Sequence, residues 1–173
     1  MKEFKLKTRD NEEINVFHWK PKKVRETIIA LHGLSDHSGW YIDFVNKFSK
    51  KGYEVYVMDR RGCGKNLKNR GDIKDFHIWL NDIQDLIKSK NLKKVSLVGV
   101  SLGAIIALAY SLKHAKDIKD IILIVPAMKN KLKFNIFYEL SVLYAILFKP
   151  KLKFKINITE NMISDNKNFI KKI

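Results

Sequence analysis

A chain of 173 residues, 46% apolar and with one cysteine, fits a single globular domain with a real core. It can form no internal disulfide and suits a reducing, cytoplasmic setting. Its formal net charge of +16 comes almost wholly from lysines scattered along every segment; nucleic-acid recognition favours clustered arginine, so no nucleic-acid partner is expected.

The chain opens on Met1-Lys2-Glu3-Phe4-Lys5-Leu6-Lys7, which alternates charged and apolar residues, unlike a signal peptide. Phe4–Lys7 and Ile14–Phe17 read as two strands of a hairpin turning over Arg9 to Glu12. Thr27-Ile28-Ile29-Ala30-Leu31 is a continuous apolar run, expected of a strand covered on both faces. Tyr41 to Lys51 carries Tyr41, Phe44, Val45 and Phe48 at helical spacing, and Gly52 closes it. Tyr53–Met58 is the next strand, ending at Asp59. A glycine-bearing loop from Arg61 to Gly71 then leads to a helix predicted over about Ile73–Ser89. The strand Val95–Val98, the bend around Ser101, the helix Ala104–Leu112 and a buried strand Ile118–Val125 follow. Such alternation predicts an α/β fold, a mostly parallel sheet with an antiparallel N-terminal hairpin. Functional residues should collect at the carboxyl ends of its strands.

The character changes after Ala127. Phe134, Phe137, Tyr138, Leu140, Leu143, Tyr144 and Leu147 lie at helical spacing, and Pro150 ends the run. Asn135, Glu139 and Ser141 interrupt this apolar stretch, and it is too short to span a bilayer. Residues 1–127 are therefore taken as the core and 128–173 as a different region.

Gly99-Val100-Ser101-Leu102-Gly103 is a G-x-S-x-G between a strand and a helix. In that setting the serine occupies a strained turn with its hydroxyl exposed above the sheet, a nucleophile elbow. Leu102 N–H then stands at a helix N-terminus, where a backbone donor can meet a developing oxyanion. No pattern in the chain implies a metal or a cofactor.

Three further stretches fall into place beside the elbow. His32-Gly33-Leu34-Ser35-Asp36-His37-Ser38-Gly39-Trp40-Tyr41 resembles the oxyanion loop of monoacylglycerol lipases and lysophospholipase-like serine hydrolases of the α/β-hydrolase superfamily. Asp59-Arg60-Arg61-Gly62-Cys63-Gly64 with Arg70-Gly71 is similar to their D-x-R-G-x-G loop, and Val125-Pro126-Ala127 resembles the start of their cap. The similarity spans roughly residues 10–130. It implies Ser101 as nucleophile, Leu34 and Leu102 as backbone oxyanion donors, and an ester or lipid substrate. It also implies structural roles for His32 and Asp59, and puts Asn66 where these enzymes commonly carry serine.

The resemblance further implies an acid and then a histidine downstream of the cap, in the order Ser, Asp or Glu, His. Only His114 of the five histidines follows Ser101. At 1.5 Å per helical residue it should sit roughly 18 Å away. The chain is thus expected to end within the cap, before the last strands, to leave the strand 118–125 at an open, apolar, aggregation-prone edge, and to be weakly active by itself. A separately encoded C-terminal half would complete it. The alternatives are a non-catalytic remnant, or a module that binds lipid or touches a membrane surface peripherally.

Overall fold

In a computed structural model that describes residues 2–34, 36–128, 135–152 and 154, the first of two units, 1–130, is built on a six-stranded sheet. β1 (Lys2–Lys7) and β2 (Glu13–Trp19) form the antiparallel hairpin, with Leu6 opposite Ile14. β3 (Glu26–Leu31), β4 (Tyr53–Met58), β5 (Val95–Val100) and β6 (Ile118–Ile124) are mutually parallel. The strand order is β1-β2-β4-β3-β5-β6, with β2 antiparallel to β4.

Strand alternation decides the layers. Ile29, Leu31, Tyr56, Met58 and Leu97 point to one face and pack on α2 (His77–Ser89) and α3 (Leu102–Lys113) through Leu80, Ile83, Leu86, Ile106 and Tyr110. Ile28, Ala30, Val55, Val57 and Val98 point to the other, where Val45 of α1 (Ile42–Lys50) and Tyr41 before it close the core. Val16, Ile29, Val45, Val55 and Leu97 are wholly buried, each stabilising by about 1.5–3 kcal/mol relative to exposure.

Two expectations need correction. The second helix begins at His77, not near Ile73. Asp75 Oδ1 accepts the His77 N–H at 2.7 Å, an Asx-type bond that starts the helix late and leaves 73–76 in the preceding loop. The residues of β6 read as a buried strand, yet Ile121, Ile122 and Ile124 are exposed, in keeping with the open edge expected for this strand. Among the described residues it pairs with β5 alone. In the second unit, 131–173, the apolar run forms α4 (Ile136–Phe148), capped by the Asn135 side chain accepting from Tyr138 N–H at 2.8 Å. Phe134 lies outside the described residues.

Candidate active site

Ser101 sits between β5 and α3 with φ 53° and ψ −114°. This is a backbone conformation that costs a non-glycine residue on the order of 1–3 kcal/mol. Two close approaches enforce it. A Cβ on Gly99 would stand 2.4 Å from the Gly103 carbonyl oxygen, and one on Gly103 only 2.1 Å from that of Leu31. The bend is tied from both sides: Ser101 N–H donates to Ile124 O at 3.0 Å, and Ser101 O accepts from Ala104 N–H at 3.1 Å. These bonds hold the serine at the carboxyl end of the sheet.

Leu102 is the first residue of α3, and Leu34 lies in the loop that leaves β3. Among the described residues neither amide N–H has a hydrogen-bond partner. Gly33 brings this loop against the elbow, since a Cβ built on it would fall 3.5 Å from Ser101 Cβ. Gly33 N–H donates to Asp36 Oδ2 at 3.1 Å, which tightens the turn.

His32 is wholly buried. Its Nε2 accepts the Arg60 N–H at 2.9 Å, which leaves Nδ1 as the protonated nitrogen, 2.9 Å from Gly33 O. Burial, and then the Arg60 charge, lower its pKa to about 4, so the ring is neutral near pH 7. With both nitrogens engaged, it is scaffold.

The loop after β4 is held as firmly. Asp59 accepts Ser38 N–H at 2.8 Å and Lys65 N–H at 3.0 Å, a structural role. Asn66 donates from Nδ2 to Asp59 O and accepts Asn15 N–H at 2.9 Å, joining this loop to β2. Arg61 bridges Asp10 (2.6 Å) and Asp82 (2.6 Å), which fastens the loop to the hairpin turn and to α2. Sequence reasoning missed Arg60 and Asp36. Arg60 is 5% exposed, and a buried cation must find acceptors; that rule, applied to a charged residue just after a buried strand, is the signal that could have flagged it.

The Ser101 hydroxyl has no hydrogen-bond partner among the described residues. His37 caps a short 3-10 turn by accepting Gly39 N–H, His18 meets Glu54 at 2.8 Å, His77 meets Asp75, and His114 contacts Gln84 at the end of α3. Burial pushes the Cys63 thiol pKa up, which disfavours the thiolate. No group of three or more His, Cys, Asp or Glu among the described residues is placed to hold a metal ion.

A family model described as serine aminopeptidase, S33, matches residues 22–173. The chain belongs to this family of α/β-hydrolases. Among its relatives, the phospholipase YtpA of Bacillus subtilis is 26% identical over 155 residues, covering 88% of this chain and 60% of its own. The monoacylglycerol lipase of Mycolicibacterium smegmatis is 27% identical, with 64% of this chain and 41% of its own covered. Of solved structures, the Paleococcus ferrophilus monoacylglycerol lipase superposes with a TM-score of 0.81 at 23% identity, covering 93% of this chain and 62% of that one. This S33 chain thus spans under two thirds of the length of these relatives. Within the family, relatives named lipase, esterase and phospholipase recur, and no helix of the described residues is long and apolar enough to cross a membrane.

Proposed function

We propose that this S33 chain carries the nucleophile of a serine hydrolase acting on carboxylic esters of the monoacylglycerol or lysophospholipid kind. Ser101 Oγ attacks the ester carbonyl, its proton passes to a base, and the oxyanion rests on the N–H groups of Leu34 and Leu102. Collapse of the tetrahedral species expels the alcohol and leaves an acyl-enzyme, which water then hydrolyses. The observation that carries this reading is the strained Ser101 backbone held between two glycines that admit no side chain. The lipid-like substrate is supported by what the relatives are named.

No described histidine hydrogen-bonds Ser101, and all five histidines of the sequence are among the described residues, so a histidine base would not come from these 173 residues. Without a base, a triad serine keeps only about 10³–10⁴-fold catalysis over water. The purified 173-residue chain is therefore expected to turn over p-nitrophenyl esters very slowly, and to be labelled by a fluorophosphonate probe at Ser101 slowly but measurably, since both reactions need the same activated hydroxyl. Ser101→Ala should abolish that label. Labelling of wild type no faster than of the variant would overturn the reading.

One observation favours a second reading, a module that binds a lipid surface. Phe137, Ile146, Leu147 and Phe148 of α4 are each more than 60% exposed. Loss of binding to anionic vesicles in a Phe137→Glu, Leu147→Glu double variant, with no Ser101 labelling in wild type, would support it over catalysis.

A further inference from the structure

Arg60 poses a problem that its neighbours solve only in part, since its Nε is buried without a hydrogen-bond partner among the described residues. It is nearly wholly buried, yet among the described residues it forms no ion pair with a carboxylate. An unpaired buried cation is costly unless its protons find acceptors. Burial indeed pulls its pKa below the ordinary value. Its guanidinium lies over the Trp79 ring, 5.2 Å from the centroid, and Nη2 donates to Gly33 O and to Leu34 O, the latter at 3.3 Å. Both acceptors are consecutive main-chain carbonyls of one loop. His32 Nδ1–H reaches the same Gly33 oxygen from within that loop.

A trans peptide is planar, with its C=O and N–H on opposite sides. A donor that seizes Gly33 C=O therefore also sets the direction of Leu34 N–H, which belongs to the same peptide unit. That N–H faces away from Arg60 and has no partner among the described residues; it follows Gly33, where a built Cβ would stand 3.5 Å from Ser101 Cβ.

We infer that Arg60 is a positioning residue for the oxyanion site: its guanidinium, seated on Trp79, clamps the Gly33 carbonyl and so aims Leu34 N–H. This rests on the hydrolase reading for its catalytic consequence but not for its geometry. Arg60 does not touch the reacting atoms. It acts through one peptide plane, and its Trp79 seat comes from α2, so a helix remote in sequence preorganises the donor.

The experiment compares wild type, Arg60→Met and Arg60→Lys, each first shown to be folded by far-UV circular dichroism. Two quantities are then read: the second-order rate of fluorophosphonate labelling at Ser101, and the ¹³C′ resonance of Gly33 with the ¹H–¹⁵N cross-peak of Leu34. With the clamp removed in Arg60→Met, labelling should fall tenfold or more, and the Gly33 carbonyl should move upfield as it loses a charged donor. Arg60→Lys, which keeps a donor on a single point, should fall between. It is also the variant that decides if Arg60→Met does not fold. A folded variant with wild-type labelling and an unmoved Gly33 carbonyl would overturn the inference. If wild type itself is not labelled, the hydrolase reading fails. The Gly33 and Leu34 resonances then decide the clamp by themselves.

Discussion

The loops at the carboxyl ends of β3, β4 and β5 and the strand β6 lie side by side in one sheet, yet they are finished very differently. In the loops the anchoring side chains are held more than once: Asp59 by two backbone amides, His32 by two partners, Arg61 by two carboxylates. From Ile121 to Ile124 β6 is apolar on both faces; among the described residues it pairs on one side, with Ile121, Ile122 and Ile124 exposed. Redundant bonds make the first region rigid enough to hold a strained serine. The second has the composition of an interior strand without an interior strand's cover. Rigidity around Ser101 is therefore local, built by loop contacts and not by a uniformly buried sheet.

The harshest way to break the loop region is to fill the space that makes the elbow tight. Gly103→Ala would put a Cβ 2.1 Å from the Leu31 carbonyl oxygen, a backbone atom that cannot step aside. The expected cost exceeds about 4 kcal/mol, enough to unfold a marginal domain. Gly71→Ala is the control: it has positive φ but meets nothing within 4 Å, so about 1 kcal/mol should be lost. Urea denaturation of the two variants measures the difference. Similar losses would mean that close approach does not set the elbow.

Acid attacks the same region through His32. Burial, then Arg60, lower its folded pKa to about 4 from 6.5, so between those values the unfolded state binds the extra proton and the native state does not. Its stabilisation is full above pH 6.5 and is lost progressively as pH falls toward about 4, by on the order of 3 kcal/mol. Urea titrations across that interval should show the slope, and His32→Asn, already weaker at neutral pH, should flatten it. An unchanged slope in the variant would assign the acid sensitivity to carboxylates.

Much of this contrast was legible in the residues. G-x-S-x-G between an apolar strand and a helix is a local pattern, and the strain at Ser101 follows from its neighbours in sequence. The hold of Asp59 on its loop came through the motif around it. What could not be read were contacts between loops: the Arg60 reach to Gly33, the Asn66 bridge to β2, and the Arg61 tie to Asp10 and Asp82 all join residues distant in the chain. The open edge at β6 followed from the order of elements and not from its own residues. Ile121-Ile122-Leu123-Ile124 reads as a strand covered on both faces, because periodicity records what a strand is composed to contact, not whether that contact is made.

Strain and stability trade against each other at Ser101. Ser101→Gly relieves the φ 53° penalty and should raise stability by about 1 kcal/mol while removing the probe-reactive hydroxyl. A thermal melt beside the labelling assay tests both at once. No gain in stability would mean that the surrounding hydrogen bonds have already absorbed the cost.

The smallest effect on stability is expected at β6, and that is where the comparison sharpens. Ile122 is 49% exposed, so Ile122→Lys should shift the urea midpoint by less than about 0.5 kcal/mol equivalent. Truncation of fully buried Ile29 to alanine should cost about 2–5 kcal/mol. The lysine should nonetheless change behaviour in solution, because a charge on an open apolar edge opposes strand-to-strand association. Light scattering at matched concentrations should show less self-association in Ile122→Lys than in wild type. A stability loss near that of Ile29→Ala would instead mean that β6 is covered in solution, and the contrast between finished loops and open strand would disappear.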